Sequence, residues 1–166
     1  MTRDLLLIDI ATRTAAWGAA PFDAEAVARR ATGMAWRNAG NTNRESEVSI
    51  VLGDDSFVRE LNSTYRGQDK ATNVLSFPAD GENGPDDAAC LLGDIVLAYE
   101  TMAREAAEQN KSLADHLSHL CVHGLLHLLG HDHQTPSDAR KMEALEISIL
   151  AELGISDPFT IPAQET

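Results

Sequence analysis

Thiols are scarce in this 166-residue chain: Cys90 and Cys121 are the only two, and no CxxC pair occurs. Their scarcity argues against a disulfide framework and against a thiolate zinc site, and it suits a reducing compartment. Cys121, set between Leu120 and Val122, reads as a small buried hydrophobe rather than a nucleophile. Long apolar runs are missing too. The N-terminal "LLLIDI" is broken by Asp9 and is too short for the core of a signal peptide. Nothing else approaches the roughly 20 residues of a membrane span. A cytoplasmic protein with no membrane partner is therefore expected. There are no repeats, low-complexity tracts or long linkers, so residues 1–166 are expected to form a single domain.

Positive charge is in short supply as well: 13 Lys and Arg stand against 26 Asp and Glu, a formal net charge of −13. Phosphate binding is driven mostly by cations, so this balance speaks against a broad nucleic-acid surface. The cations are unevenly spread, however. Arg29, Arg30, Arg37, Arg44, Arg59, Arg66 and Lys70 all fall between residues 29 and 70, while acid dominates "DGENGPDD" at 80–87 and the C-terminal helix and tail. That asymmetry leaves room for one local anion-binding face. A chain of this length buries roughly two-thirds of its unfolded surface, so it needs no metal to fold, and a metal it does hold is expected to be functional.

The pattern along the chain predicts an α+β domain, close to α/β, in which helices pack on a small mixed sheet of about four strands. "DLLLIDI" at 4–10 suits a first strand. "PFDAEAVARRATGMAWRNAG" follows with helical spacing of Val27, Met34 and Trp36 and a stop at Gly40. "SEVSIVLG" alternates with period two, as a strand does. Asp54 is placed to cap the helix "DSFVRELNSTYRG", which Gly67 ends. "TNVLSFP" and "LLGDIVLA" are the third and fourth strands, separated by a Gly/Pro/Asp loop expected to be exposed and mobile. Beyond them come helices over about 99–110, from a Ser112 cap through "LADHLSHLCVHGLLHLLG" to Gly130, and from Thr135 and Pro136 to Gly154.

What the sequence has in abundance is histidine in one place, "HGLLHLLGHDH" at 123–133. His123 and His127, four apart, lie on one helix face about 6 Å apart along the axis, where two imidazoles reach one ion. Residue 131 of an unbroken helix would lie about 12 Å from residue 123, so a third ligand requires the helix to break. Gly130 supplies the break. Either His131 or His133 can then swing back, and His133 has more chain for the return. Asp132 is placed to accept a hydrogen bond from a ligand ring and fix its tautomer. His116 and His119 share the stripe but lie further from the proposed ion, as packing or ligand-supporting groups. A single histidine on such a face would read as a core residue; the set reads as a metal site at the end of a helix.

These residues resemble the signature HGxLHLxGxDH of the YbeY family of bacterial endoribonucleases. "LNSTYRGQDKATNVLSFP" at 61–78, "LLGDIVLA" at 91–98 and "MEALE" at 142–146 are similar to that family's other blocks. The resemblance runs in order from about residue 45 to 160; the first 40 residues rest on pattern alone. It implies one zinc ion per chain, held by His123, His127 and His133. It also implies an essential role for Arg66, in the family's "YR" pair, and action on single-stranded ribosomal RNA in rRNA maturation and ribosome quality control, with the ribosome or a ribosomal subunit as partner. His131 departs from the family, which often has tyrosine there.

A zinc on three neutral histidines keeps its charge and an open position at which water is acidified, which describes a hydrolase. Arg66 suits the complementary task, since a guanidinium grips phosphate through two parallel hydrogen bonds, and Lys70 stands just downstream. Two rival readings remain. A zincin-like metalloprotease would carry glutamate after the first histidine as general base, whereas this chain has Gly124. A non-catalytic ribosome assembly factor would use its zinc structurally. The missing glutamate also leaves the nuclease without an obvious base, with Asp94, His131, Asp132 and the substrate's own 2′-hydroxyl as candidates.

Overall fold

The structure, a computed structural model, describes residues 5–40, 42–79 and 90–159. Four strands, β1 (Leu6–Thr12), β2 (Ser46–Gly53), β3 (Val74–Pro78) and β4 (Cys90–Ala98), form one sheet in the order β1-β2-β4-β3. β1 runs parallel to β2 and β2 to β4, while β3 joins β4 antiparallel and forms an edge. Pro78 suits that edge, because a proline has no N–H to give to a further strand. Among the described residues six helices accompany the sheet: α1 (Ala15–Gly18), α2 (Ala24–Ala39), α3 (Asp55–Arg66), α4 (Tyr99–Glu108), α5 (Leu113–Leu128) and α6 (Pro136–Glu152). This is the expected mixed sheet with packed helices. None of the helices among the described residues is long and apolar enough to cross a membrane.

Strand alternation sorts the side chains to two faces. Ile8, Val48, Ile50, Ile95 and Leu97 pack with Trp36 of α2 and Leu117, Leu125 and Leu126 of α5 in the main core. On the other face Leu75, Val96 and Ala98 pack under Val58 of α3. The expected caps are in place: Asp54 accepts from the Phe57 N–H, Ser112 from the Asp115 N–H and Thr135 from the Asp138 N–H. Gly67 closes α3 in the left-handed conformation, at φ 66°.

Two elements and one further short helix differ from the sequence expectation. β1 is displaced two residues toward the C-terminus, since its pairing with β2 extends to Thr12 opposite Leu52. The helix expected over 99–110 ends at Glu108. The four-residue α1, not foreseen, is held by the Thr14 cap and by buried Trp17, whose indole N–H donates to the Gly53 carbonyl at 2.9 Å. The expected mobile loop at 80–87 lies outside the described residues.

Candidate metal centre

α5 carries His123 and His127 one turn apart on the edge of its buried stripe, both half-buried. The helix then ends in a reversal that its sequence explains. Gly130 adopts φ 100°, its N–H bonds to the His127 carbonyl at 3.0 Å, and the His131 N–H reaches back to the Leu126 carbonyl at 3.0 Å. This paired closure is the Schellman arrangement, which a glycine in that conformation permits. The connector 131–134 is short, and Asp132 accepts from the Gln134 N–H at 3.2 Å, turning the chain so that His133 faces back toward α5.

The outcome is a triangle of imidazoles. Ring centroids lie 4.7 Å apart for His123 and His127, 4.9 Å for His123 and His133, and 5.0 Å for His127 and His133. One nitrogen from each ring falls within 4.8 Å of the others, so the three could hold a metal ion. Donors in a tetrahedral shell with bonds of about 2.0–2.1 Å stand roughly 3.4 Å apart, so the three nitrogens would draw closer together around an ion. His131, the alternative third ligand, is outside this group.

Glu146 explains how the triangle is held, and the sequence reading missed it. Its side chain is buried on α6, at 1% exposure, among Met142, Ile149 and Leu150. One oxygen accepts from His123 Nδ1 at 2.5 Å and the other from His119 Nε2 at 3.4 Å. Burial alone would raise the carboxyl's pKa, but the hydrogen bonds and charges of His119 and His123 outweigh it and leave it at about 2. With Nδ1 donating to Glu146, His123 presents Nε2 as a lone pair toward the other two rings. The acceptor for the His123 ring is thus Glu146, whereas Asp132 Oδ1 accepts from the Gln134 N–H in its own turn. The available signal was a lone glutamate in the apolar stripe of a helix. His119, expected as a packing or ligand-supporting group, contacts the same carboxylate.

His127 is pushed down to about 4, chiefly by burial and then by the charges of His123 and His133, so at neutral pH it is an unprotonated donor. Deeper along α5, His116 meets Glu105 at 2.9 Å, and Asn73 donates to the same carboxylate. By contrast, burial lifts the Cys121 thiol to about 12, which fits its reading as an inert core residue.

Arg66 ends α3 and extends toward edge strand β3, where Nη2 donates to the Ser76 carbonyl at 2.7 Å. There it borders a cavity of about 210 Å³ that His123 and His127 line from the other side. Lys70 is exposed beyond α3 and does not border that cavity. Asp94 does not either: Ile95 faces Gly124 of α5, so strand alternation directs Asp94 to the opposite face of the sheet.

Comparison with known proteins agrees with this architecture. The family model described as endoribonuclease YbeY matches residues 11–154. Proteins named endoribonuclease YbeY are similar over most of the chain. The one from Bradyrhizobium diazoefficiens is 54% identical over 140 residues, 82% of this chain and 76% of its own. That from Paramagnetospirillum magneticum is 51% identical over 147 residues, 87% of this chain and 90% of its own. In fold, the solution structure of TM1509 from Thermotoga maritima matches with a TM-score of 0.55 at 22% identity, covering 96% of this chain and 100% of that one. With a family model matching from β1 to the end of α6 and relatives identical at half their aligned positions, this chain belongs to the YbeY endoribonuclease family.

Proposed function

We propose that this chain is a zinc-dependent endoribonuclease acting on single-stranded RNA, with His123, His127 and His133 as metal ligands and Arg66 as the clamp on the scissile phosphate. The observation that carries the reading is the cavity shared by Arg66, His123 and His127, which sets a phosphate-gripping cation opposite the imidazole cluster. The activity named for the relatives supports RNA as the polymer.

When bound, zinc supplies a +2 charge and an open position that acidifies water toward neutrality. Three neutral imidazoles are the donor set that leaves that charge undiminished. The chain's own residues do the rest. Glu146 holds the Nδ1 proton of His123, burial keeps His127 unprotonated, and the Schellman turn fixes the approach of His133. Arg66, steadied by the Ser76 carbonyl, offers its remaining N–H groups to the non-bridging oxygens and stabilises charge growing on the phosphorus. The direction of Asp94 removes it from the candidates for general base.

The surface charge supports a presented substrate. A protein with net charge −13 binds free RNA weakly and with strong salt sensitivity, which suits ribosomal RNA displayed by a ribosomal particle during maturation or quality control in the cytoplasm.

Packing disfavours a zincin-like protease. A Cβ at Gly124 would sit 2.9 Å from Ile95 Cγ2 and 3.2 Å from Ser76 Oγ, so the position that would carry the protease glutamate is closed against the sheet. A structural zinc in a non-catalytic assembly factor calls for four protein donors, and the cluster found among the described residues has three. The test is metal analysis together with cleavage of a single-stranded RNA and of casein by one preparation. Zinc near one per chain, RNA cut, casein intact and activity lost on chelation are expected. Cleavage of casein alone would establish the protease, and full zinc with neither substrate cut would establish the assembly factor.

A further inference from the structure

The geometry points to a nucleobase subsite beside the scissile phosphate, built from Tyr65, Phe77 and Asp94, with guanine as its preferred occupant. The inference rests on the endoribonuclease reading above and adds the base-reading element that the metal centre lacks.

Arg66 stands between two hollows. On one side is the histidine cavity. On the other a groove of about 800 Å³ opens over the α3 face of the sheet, and Arg66 and Pro78 line both. The size suits one small, flat ligand with room for solvent. Tyr65 stands at its rim, 69% exposed, so the face of its ring is open to solvent. It meets Phe77 edge-on, with centroids 5.7 Å apart, and the guanidinium carbon of Arg66 lies 5.3 Å from the centre of the Phe77 ring. Two aromatic rings and a guanidinium around one opening are the platform on which unpaired RNA bases stack, each residue being tolerant of any base through its π face.

Asp94 adds the selectivity. It pairs in register with Phe77 across β3 and β4, so both side chains emerge on the groove face. It is exposed, and among the described residues its carboxylate has no hydrogen-bond or ion-pair partner. A carboxylate repels phosphate, so the strand's backbone stays with Arg66 while the base enters the groove. A free carboxylate only accepts, and the Watson–Crick edge of guanine offers two parallel donors, N1–H and N2–H. Cytosine and adenine offer one amino group each, and the single N3–H of uracil is flanked by two carbonyl oxygens that face the carboxylate unfavourably.

The test has a cleavage arm and a binding arm, both on the full zinc-loaded chain. Single-stranded oligonucleotides with one cleavable position are varied at each flanking nucleotide. Guanine at one flank is expected to raise kcat/KM about 10-fold over uracil, within the range of one bidentate base contact. Asp94→Asn should bring that ratio below about twofold while zinc content stays unchanged. Tyr65→Ala should lower kcat/KM about 10-fold for every sequence, with recovery in Tyr65→Trp, the signature of stacking. Independently of cleavage, 5′-GMP should shift the Tyr65 and Phe77 ring resonances at concentrations where 5′-UMP, with the same phosphate, does not. Equal shifts from the two nucleotides, or none, together with sequence-blind cleavage, would overturn the subsite while leaving the nuclease standing. Guanine-selective shifts in a protein that cuts no RNA would keep the subsite and sink the endoribonuclease reading. A groove that instead takes up an arginine-rich peptide and ignores 5′-GMP is a protein-docking surface, and the proposal fails.

Discussion

Glu146 on α6 accepts a 2.5 Å hydrogen bond from Nδ1 of His123 on α5, so the ring whose other nitrogen faces the imidazole cluster is oriented by a helix other than its own. Replacing such a carboxylate typically costs 10–100-fold in metal affinity. Glu146→Gln keeps the shape and one acceptor but removes the charge. It is expected to weaken zinc binding by about that factor, read by competition with a chromogenic chelator, while circular dichroism stays unchanged. An unaltered zinc affinity would mean that the negative charge of Glu146 adds nothing to metal binding and that a neutral acceptor holds the ring equally well.

The same site sets an acid limit. His127 is lowered from 6.5 to about 4, so the unfolded chain binds its proton first as pH falls. Its contribution to stability is complete above about pH 6.5 and is lost between there and about pH 4. Glu146, lowered from 4.5 to about 2, contributes above about pH 4.5 and loses that contribution as pH falls toward 2. Metal-free protein should therefore show a melting temperature that declines in two overlapping steps below pH 6.5. His127→Gln should remove the upper step. A melting temperature flat from pH 7 to 4 would contradict the burial assigned to this ring.

His133 and His131 make opposite predictions. The geometry gives His133 to the cluster and leaves His131 in the connector, so His133→Ala should empty the site and His131→Ala should leave about one zinc per chain. In both variants, and in the wild type after chelation, the fold should persist, because the core under α2 and α5 is built without the site. Metal analysis and circular dichroism of the two variants decide it; zinc retained without His133 and lost without His131 reverses the assignment.

Much of this was legible because it is local. The period of "SEVSIVLG", the caps at Asp54, Ser112 and Thr135, and the glycines at 67 and 130 each act within a few residues, and so does the four-residue spacing of His123 and His127. What escaped depends on how distant elements meet. Glu146 reaches His123 only because α6 folds back along α5; in the sequence it shows as an acid in the stripe with Met142, Ile149 and Leu150 and as the end of the "MEALE" block, neither of which says what it touches. Asp132 looked like the better partner for a ligand ring because it is adjacent. An aspartate in a four-residue connector, however, finds its own backbone first. Asp94 looked available as a base until the strand direction of Ile95 turned it to the other face.

Arg66 offers the sharpest discrimination among the readings, because its contacts are to the cavity and not to the metal cluster. Its one hydrogen bond among the described residues, at 2.7 Å to the Ser76 carbonyl, involves an exposed side chain, so Arg66→Ala should leave fold and zinc content intact. RNA cleavage should fall about 100-fold or more, the loss expected when one preorganised donor to a transition state is removed. Arg66→Lys should recover only part of that, since an ammonium keeps the charge but cannot make two parallel hydrogen bonds to one phosphate. The loss should appear mainly in kcat if the guanidinium acts on charge that develops during cleavage, and in KM if it only holds the strand. A zinc protease would lose nothing in either variant, and a structural zinc protein has no rate to lose. Undiminished cleavage by folded, zinc-loaded Arg66→Ala would remove the phosphate clamp and leave the cavity between α3 and α5 without a role in the reaction.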